Sequence, residues 1–102
     1  MVYQFKGPYS YNKRVVTDWN SNELGVYYCG YKNSAGSLYV LYVGRSIGDS
    51  GIRGRILQHL SENKWPDVDH FGYCVCDTDR DAINFEIQEI DRLKPKYNVQ
   101  GK

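Results

Sequence analysis

The chain has 102 residues, enough for one domain around a single buried core. Its 41% hydrophobic and 25% charged residues exclude a disordered or fibrous chain. A net charge of +1 excludes the strong basic field of a domain that grips nucleic acid by charge alone, so any such contact must come from local clusters. The compositional oddity is tyrosine, with ten residues.

The longest apolar run, Leu38 to Val43, is far too short to span a bilayer. The N-terminus also lacks the apolar core of a signal peptide, so a cytoplasmic protein with no membrane partner is expected. Cys29, Cys74 and Cys76 are too few for a secreted disulfide framework, and reduced thiols are expected.

Residues 1–24 carry Tyr3, Phe5, Tyr9, Tyr11, Val15, Val16 and Trp19 without a clear period, and end in the polar run Asn20-Ser21-Asn22-Glu23. They read as an irregular N-terminal extension packed on the core, with room for one short strand. Gly25 to Gly44 places two apolar strings on either side of a polar turn, the pattern of a β-hairpin. A bend between Ser34 and Ala35 would oppose Tyr31 to Leu38, Cys29 to Val40 and Tyr27 to Tyr42. Directly opposed residues share a face, so Tyr27 and Tyr42 would stand side by side unless a bulge shifts the pairing.

Ile52, Ile56, Leu57 and Leu60 recur at helical spacing, with Asp49 or Ser50 as the N-cap. Arg55 and His59 are four apart and share one side at the edge of this apolar arc. The alternation of His70 to Cys76 predicts a third strand, and the stretch from Asp77 opens with acidic cap candidates before a second helix that Pro95 ends. Its apolar arc holds Ala82, Ile83, Ile87, Ile90 and Leu93. Projected at about 100° per residue, Glu86 falls inside that arc.

A buried carboxylate whose partner is missing costs about 3–5 kcal/mol, so Glu86 needs a cation, a hydrogen-bond network or an opening to solvent. Two readings follow. One is a salt bridge to Arg55 or Arg53; the other is a hard divalent metal, since magnesium keeps several waters on one or two carboxylates.

These residues carry a resemblance. Gly25-Val26-Tyr27, Tyr42-Val43-Gly44, Arg55 with His59 on a helix, Glu86 on the next helix and Asn98 in "PKYN" together resemble the GIY-YIG nuclease family over residues 25–98. The resemblance implies an α+β fold with a small three-stranded antiparallel sheet flanked by helices, here as a domain over 25–102 preceded by the 1–24 extension. It implies a metal-dependent DNA endonuclease that hydrolyses phosphodiester bonds. Glu86 would hold Mg²⁺ or Mn²⁺, Tyr27 and Tyr42 would contact the attacking water and the phosphate, and Arg55 would stabilise developing charge. His59 would hydrogen-bond or transfer a proton, and Asn98 would help fix the site.

The general base stays open between Tyr27 and His59, with the resemblance favouring Tyr27. The "SIGDSG" stretch after Arg45 leaves the catalytic arginine open between Arg53 and Arg55; Arg55 is preferred for its four-residue offset to His59. Arg45 and Arg53, with Lys13 and Arg14 beside Tyr9 and Tyr11, are the DNA-contacting candidates, and Lys94 with Lys96 is a further basic pair. Targeting would then call for a homodimer or an accessory protein. The alternative is a noncatalytic nucleic-acid- or protein-binding domain that keeps the fold and uses Glu86 in a structural salt bridge.

Three other signals read as structural. His70, Cys74, Cys76 and Cys29 have the wrong spacing for a zinc site, and the thiols are expected as small buried groups. Trp65-Pro66 reads as loop packing, and the aspartates near Thr78 as a helix start.

Overall fold

In the computed structural model, which describes residues 1–19, 23–46, 51–63 and 65–100, the predicted hairpin is β2 (Gly25–Lys32) and β3 (Leu38–Ser46). Before it lie β1 (Lys6–Ser10) and α1 (Lys13–Asp18). After it come α2 (Gly51–Glu62), β4 (His70–Val75), α3 (Asp79–Leu93) and α4 (Lys96–Gln100). The strands form one antiparallel sheet in the order β1-β4-β2-β3.

The α+β class and the small antiparallel sheet agree with expectation, but the sheet has four strands rather than three. The extra strand, β1, comes from the N-terminal segment and adds to the outer edge of β4. Its residues are largely exposed, so it is held by backbone pairing and leaves no hydrophobic alternation to read. β1 is the short strand for which the segment left room, whereas the short α1 was unforeseen; Asn12 caps it by accepting from the Val15 amide at 2.9 Å.

Residues Gly25 to Gly30 of β2 are all buried, because helices cover both faces of this inner strand. One face carries Tyr27 and Cys29 with Phe71, Val16, Ile52 and Ile56, which brings in α1 and α2. The other carries Val26, Tyr28, Val43 and Cys74 with Ala82, Phe85 and Leu93, which brings in α3. Burying Ile52 and Ile56 stabilises the first layer by roughly 1.5–3 kcal/mol each. The Asp49 or Ser50 cap of α2 and the polar residues Asn20 to Asn22 lie outside the described residues.

The hairpin register differs from the expected one in two places. The turn puts Tyr31 opposite Tyr39 and Lys32 opposite Leu38, one residue off. A bulge at Leu41 then shifts the pairing again, so Cys29 opposes Tyr42 and Tyr27 opposes Gly44. Two single-residue offsets make a shift of two, and strand faces repeat every two residues. Tyr27 and Tyr42 therefore share a face as diagonal rather than direct neighbours. Asn33 fixes the turn, its Oδ1 accepting from the amides of Ala35 and Ser37 at 3.0 Å each.

In α3 the cap is Thr78, which accepts from the Asp81 amide at 3.1 Å; the aspartates occupy the first turn instead. The inward seam also lies away from the expected centre. Ile87 is 60% exposed, while Ala82, Glu86, Glu89 and Leu93 face the sheet. Lys94 ends the helix in the left-handed conformation (φ 44°) before Pro95. Among the described residues, no helix is long and apolar enough to cross a membrane.

Candidate active site

Tyr27 sits fully buried in the middle of β2. Its ring lies across Gly44, where a Cβ would come within 2.5 Å of the tyrosine Cζ and hydroxyl oxygen, so the second glycine-bearing string leaves room for the tyrosine of the first. From α2, His59 reaches the same point: its Nε2 is 2.8 Å from the Tyr27 hydroxyl, and it is 3% exposed. The half-buried Tyr42 completes the group, with ring centroids 6.2 Å from Tyr27 and 5.7 Å from His59.

Burial pushes the Tyr27 phenol well above its ordinary value, and the neighbouring Tyr42 adds to the rise. Tyr42 is raised by burial first and then by the charge of Glu86. The Arg55 guanidinium opposes the rise at both tyrosines. Both rings are therefore neutral phenols at rest, standing between a cation on α2 and a carboxylate on α3. Arg55 itself is oriented by Gln58, whose Oε1 accepts from Nη1 at 2.7 Å.

Glu86 lies at the rim of this group with its side chain 13% exposed. Its salt-bridge partner is neither Arg55 nor Arg53 but Arg45 of β3, whose Nη1 donates to Oε1 at 2.5 Å. Arg53 instead donates to the Val16 and Thr17 carbonyls at 3.2 and 3.0 Å, tying α2 to the end of α1. That leaves Arg55 as the arginine whose charge acts on the tyrosines. Lys13 and Arg14 lie exposed on α1. Tyr9 rests on Phe71 and Tyr73, and Tyr11 packs on the core.

Asn98 of α4 accepts from the Val43 amide at 2.7 Å through Oδ1 and donates to the Val43 carbonyl at 2.9 Å through Nδ2. Because β3 is an edge strand, the side-chain amide occupies the place of a neighbouring strand at the residue between Tyr42 and Gly44.

Two parts of the surroundings escaped the sequence reading. Trp65 packs on the core as expected, but its partners were not foreseen: its ring lies 4.7 Å from both His59 and Tyr42 and stacks on Tyr97 at 6.0 Å. No local pattern announces it, because Tyr42 and Tyr97 are distant in sequence and the turn after α2 that brings Trp65 back onto His59 follows no period. Glu89 is the more deeply buried carboxylate of α3, accepting from Tyr28 at 2.7 Å and from Arg92 at 2.7 and 2.8 Å. Its three-residue spacing to Arg92 was the readable signal.

Among the described residues, no group of three or more carboxylates, imidazoles and thiols gathers. Cys29 is buried on the opposite sheet face from Cys74 and Cys76. A hard cation suits the single, partly open carboxylate of Glu86, with water supplying the remaining oxygens. No family model, no curated protein and no solved structure matches this chain.

Proposed function

We propose that the protein is a metal-dependent DNA endonuclease of the GIY-YIG type, acting as a small domain in the cytoplasm. The observation that carries this reading is the 2.8 Å contact between Tyr27 and His59 in a buried group where Tyr42 feels both Glu86 and Arg55.

A phenol with a raised pKa is a weak base alone, and the histidine supplies what it lacks. Tyr27 donates its proton to neutral His59 Nε2 as it takes one from water. The resulting hydroxide attacks phosphorus, one P–O ester bond breaks, and the departing oxygen takes a proton from solvent. Arg55 stabilises the negative charge that develops on the phosphate, and Tyr42 hydrogen-bonds a phosphate oxygen. Glu86 would hold Mg²⁺ or Mn²⁺, which when bound supplies charge stabilisation at the phosphate and the departing oxygen. Asn98 holds the strand that carries Tyr42. Arg45 exchanges Glu86 for a phosphate when DNA binds, while Lys13 and Arg14 extend the contact and a homodimer or accessory protein supplies targeting.

The Arg45–Glu86 pair favours one other reading, a noncatalytic binding domain in which Glu86 is structural. Nicking of supercoiled plasmid separates the two. Cleavage with magnesium that is lost in EDTA, in Glu86→Ala and in Tyr27→Phe is expected. Metal-independent cutting, or full activity of Glu86→Ala, overturns the proposed site.

A further inference from the structure

At the hairpin tip, Tyr31 and Tyr39 stack with centroids 5.0 Å apart and an interplanar angle of 16°. Cross-strand packing alone explains such a pair. Yet the rings remain 38% and 54% exposed, and Tyr39 also forms one wall of a cleft of about 340 Å³. The opposite wall is the α3–α4 junction, with Lys94, Pro95 and Lys96.

Both lysines are available to an anion. Lys94 meets Asp91 at 3.5 Å with side-chain exposures of 74% and 85%, and Lys96 meets Asp67 at 4.0 Å with exposures of 51% and 44%. Exposed pairs of this kind are weak and yield to a phosphate. Lys96 also stands 5.3 Å from the Tyr97 ring, which stacks on Trp65 and through it reaches Tyr42 and His59.

The cleft lies on the same strand as the candidate active site, since Leu38, Tyr39 and Val40 of β3 line it and Tyr42 follows them. From Val43, held by Asn98, to Tyr39 is four residues with one bulged. At ~3.4 Å per residue this is roughly 10–14 Å, or three to four base steps of ~3.4 Å. An exposed ring for a base and two cations for the adjoining phosphates are the elements of a sequence-tolerant single-strand site.

We propose that this cleft binds a short single-stranded DNA segment flanking the scissile phosphate, with a base stacked on Tyr39 and phosphates held by Lys94 and Lys96. The inference rests on the nuclease reading for its ligand and gives it a substrate preference, for DNA unpaired to one side of the cut.

The test is fluorescence anisotropy in EDTA, where binding is read without cleavage. The probes are a labelled oligothymidylate of about twelve nucleotides, within the usual range of single-strand sites, a duplex of equal length, and polyglutamate as competitor. Tyr39→Ala is expected to weaken oligothymidylate binding about tenfold, with Tyr39→Phe within about twofold of the parent. The double substitution Lys94→Ala/Lys96→Ala should lower the log–log salt slope by about 1.4, at ~0.7 per phosphate contact on a single strand. The duplex should respond to none of these changes.

Unchanged binding in Tyr39→Ala overturns the proposal. So does equal weakening by Tyr39→Phe, or displacement of the oligonucleotide by polyglutamate at similar concentration, which would mark an acidic-peptide surface. If plasmid is cleaved while Tyr39→Ala binds like the parent, the cleft falls and the nuclease stands. Tyr39-dependent binding without any cleavage removes the nuclease and leaves the cleft.

Discussion

Asn98→Ala removes both hydrogen bonds at Val43, one to the amide at 2.7 Å and one to the carbonyl at 2.9 Å. At about 1 kcal/mol net for each bond, the loss is about 2 kcal/mol. In a domain of this size, that lowers Tm by about 8–16 °C. Urea unfolding followed by tryptophan fluorescence reads the change, with an unaltered slope showing that the unfolded state is unaffected. Asn98→Asp sharpens the test, because it preserves the acceptor for the Val43 amide but sets a second carboxylate oxygen against the Val43 carbonyl. The folded state then favours the neutral acid, whose O–H can donate to that carbonyl, so the introduced group's folded pKa lies above its unfolded value of about 3.9. The stability it contributes is fully present below about pH 3.9 and is lost as pH rises through the folded value. Relative to Asn98→Ala at each pH, Asn98→Asp should gain on acidification. A cost below about 0.5 kcal/mol for Asn98→Ala, or a flat difference between the two variants with pH, would refute the edge-clamp account.

The two arginines of α2 should separate by assay. Arg53→Ala loses its bonds to the Val16 and Thr17 carbonyls and should cost about 2 kcal/mol in urea unfolding while plasmid nicking persists. Arg55→Ala should change stability by less than about 1 kcal/mol yet slow nicking at least ~100-fold; the reverse pattern would make Arg53 the catalytic arginine. Glu89 is held below the ordinary glutamate range, chiefly by Arg92 and also by Tyr28. Its contribution is present above the unfolded pKa and is lost as pH falls through the depressed folded value. Glu89→Gln should be less stable than the parent at neutral pH by about 1–3 kcal/mol, with the gap closing in acid; a pH-independent gap would remove the charge from the account. Urea unfolding from neutral to acid pH follows it.

The elements with a strong period were legible. Three strands and two long helices could be read because each buries an apolar face, and Glu86 was legible as a polar residue within such a face. β1 was legible only as room for a short strand somewhere in residues 1–24, since its residues are exposed and its stability comes from hydrogen bonds along β4. The partner of Glu86 was beyond reach for a related reason. Arg45 sits on an edge strand whose position against α3 is set by sheet order, so the arginines on α2 looked equally eligible until that order was known. Within α3, the large Ile87 drew the projected arc toward itself, although the helix seats Ala82, Phe85, Glu89 and Leu93 against the sheet and leaves Ile87 in water. Tyr27, Tyr42 and His59 could be placed together by parity and helical spacing, but Trp65, which braces two of them, belongs to a loop whose course no period describes.

The Leu41 bulge and the turn around Asn33 have a consequence for how this hairpin can change length. A single insertion or deletion at either place would turn Tyr42 away from Tyr27 and onto the α3 side, whereas paired changes cancel. The hairpin can therefore lengthen or shorten in steps of two residues in each strand, each moving its tip by about 7 Å without rotating it. Such steps would change the distance between Tyr39 and the Tyr27–His59 pair by about two base spacings and leave the buried group untouched. The reach of the hairpin is thus an adjustable ruler mounted on a fixed base.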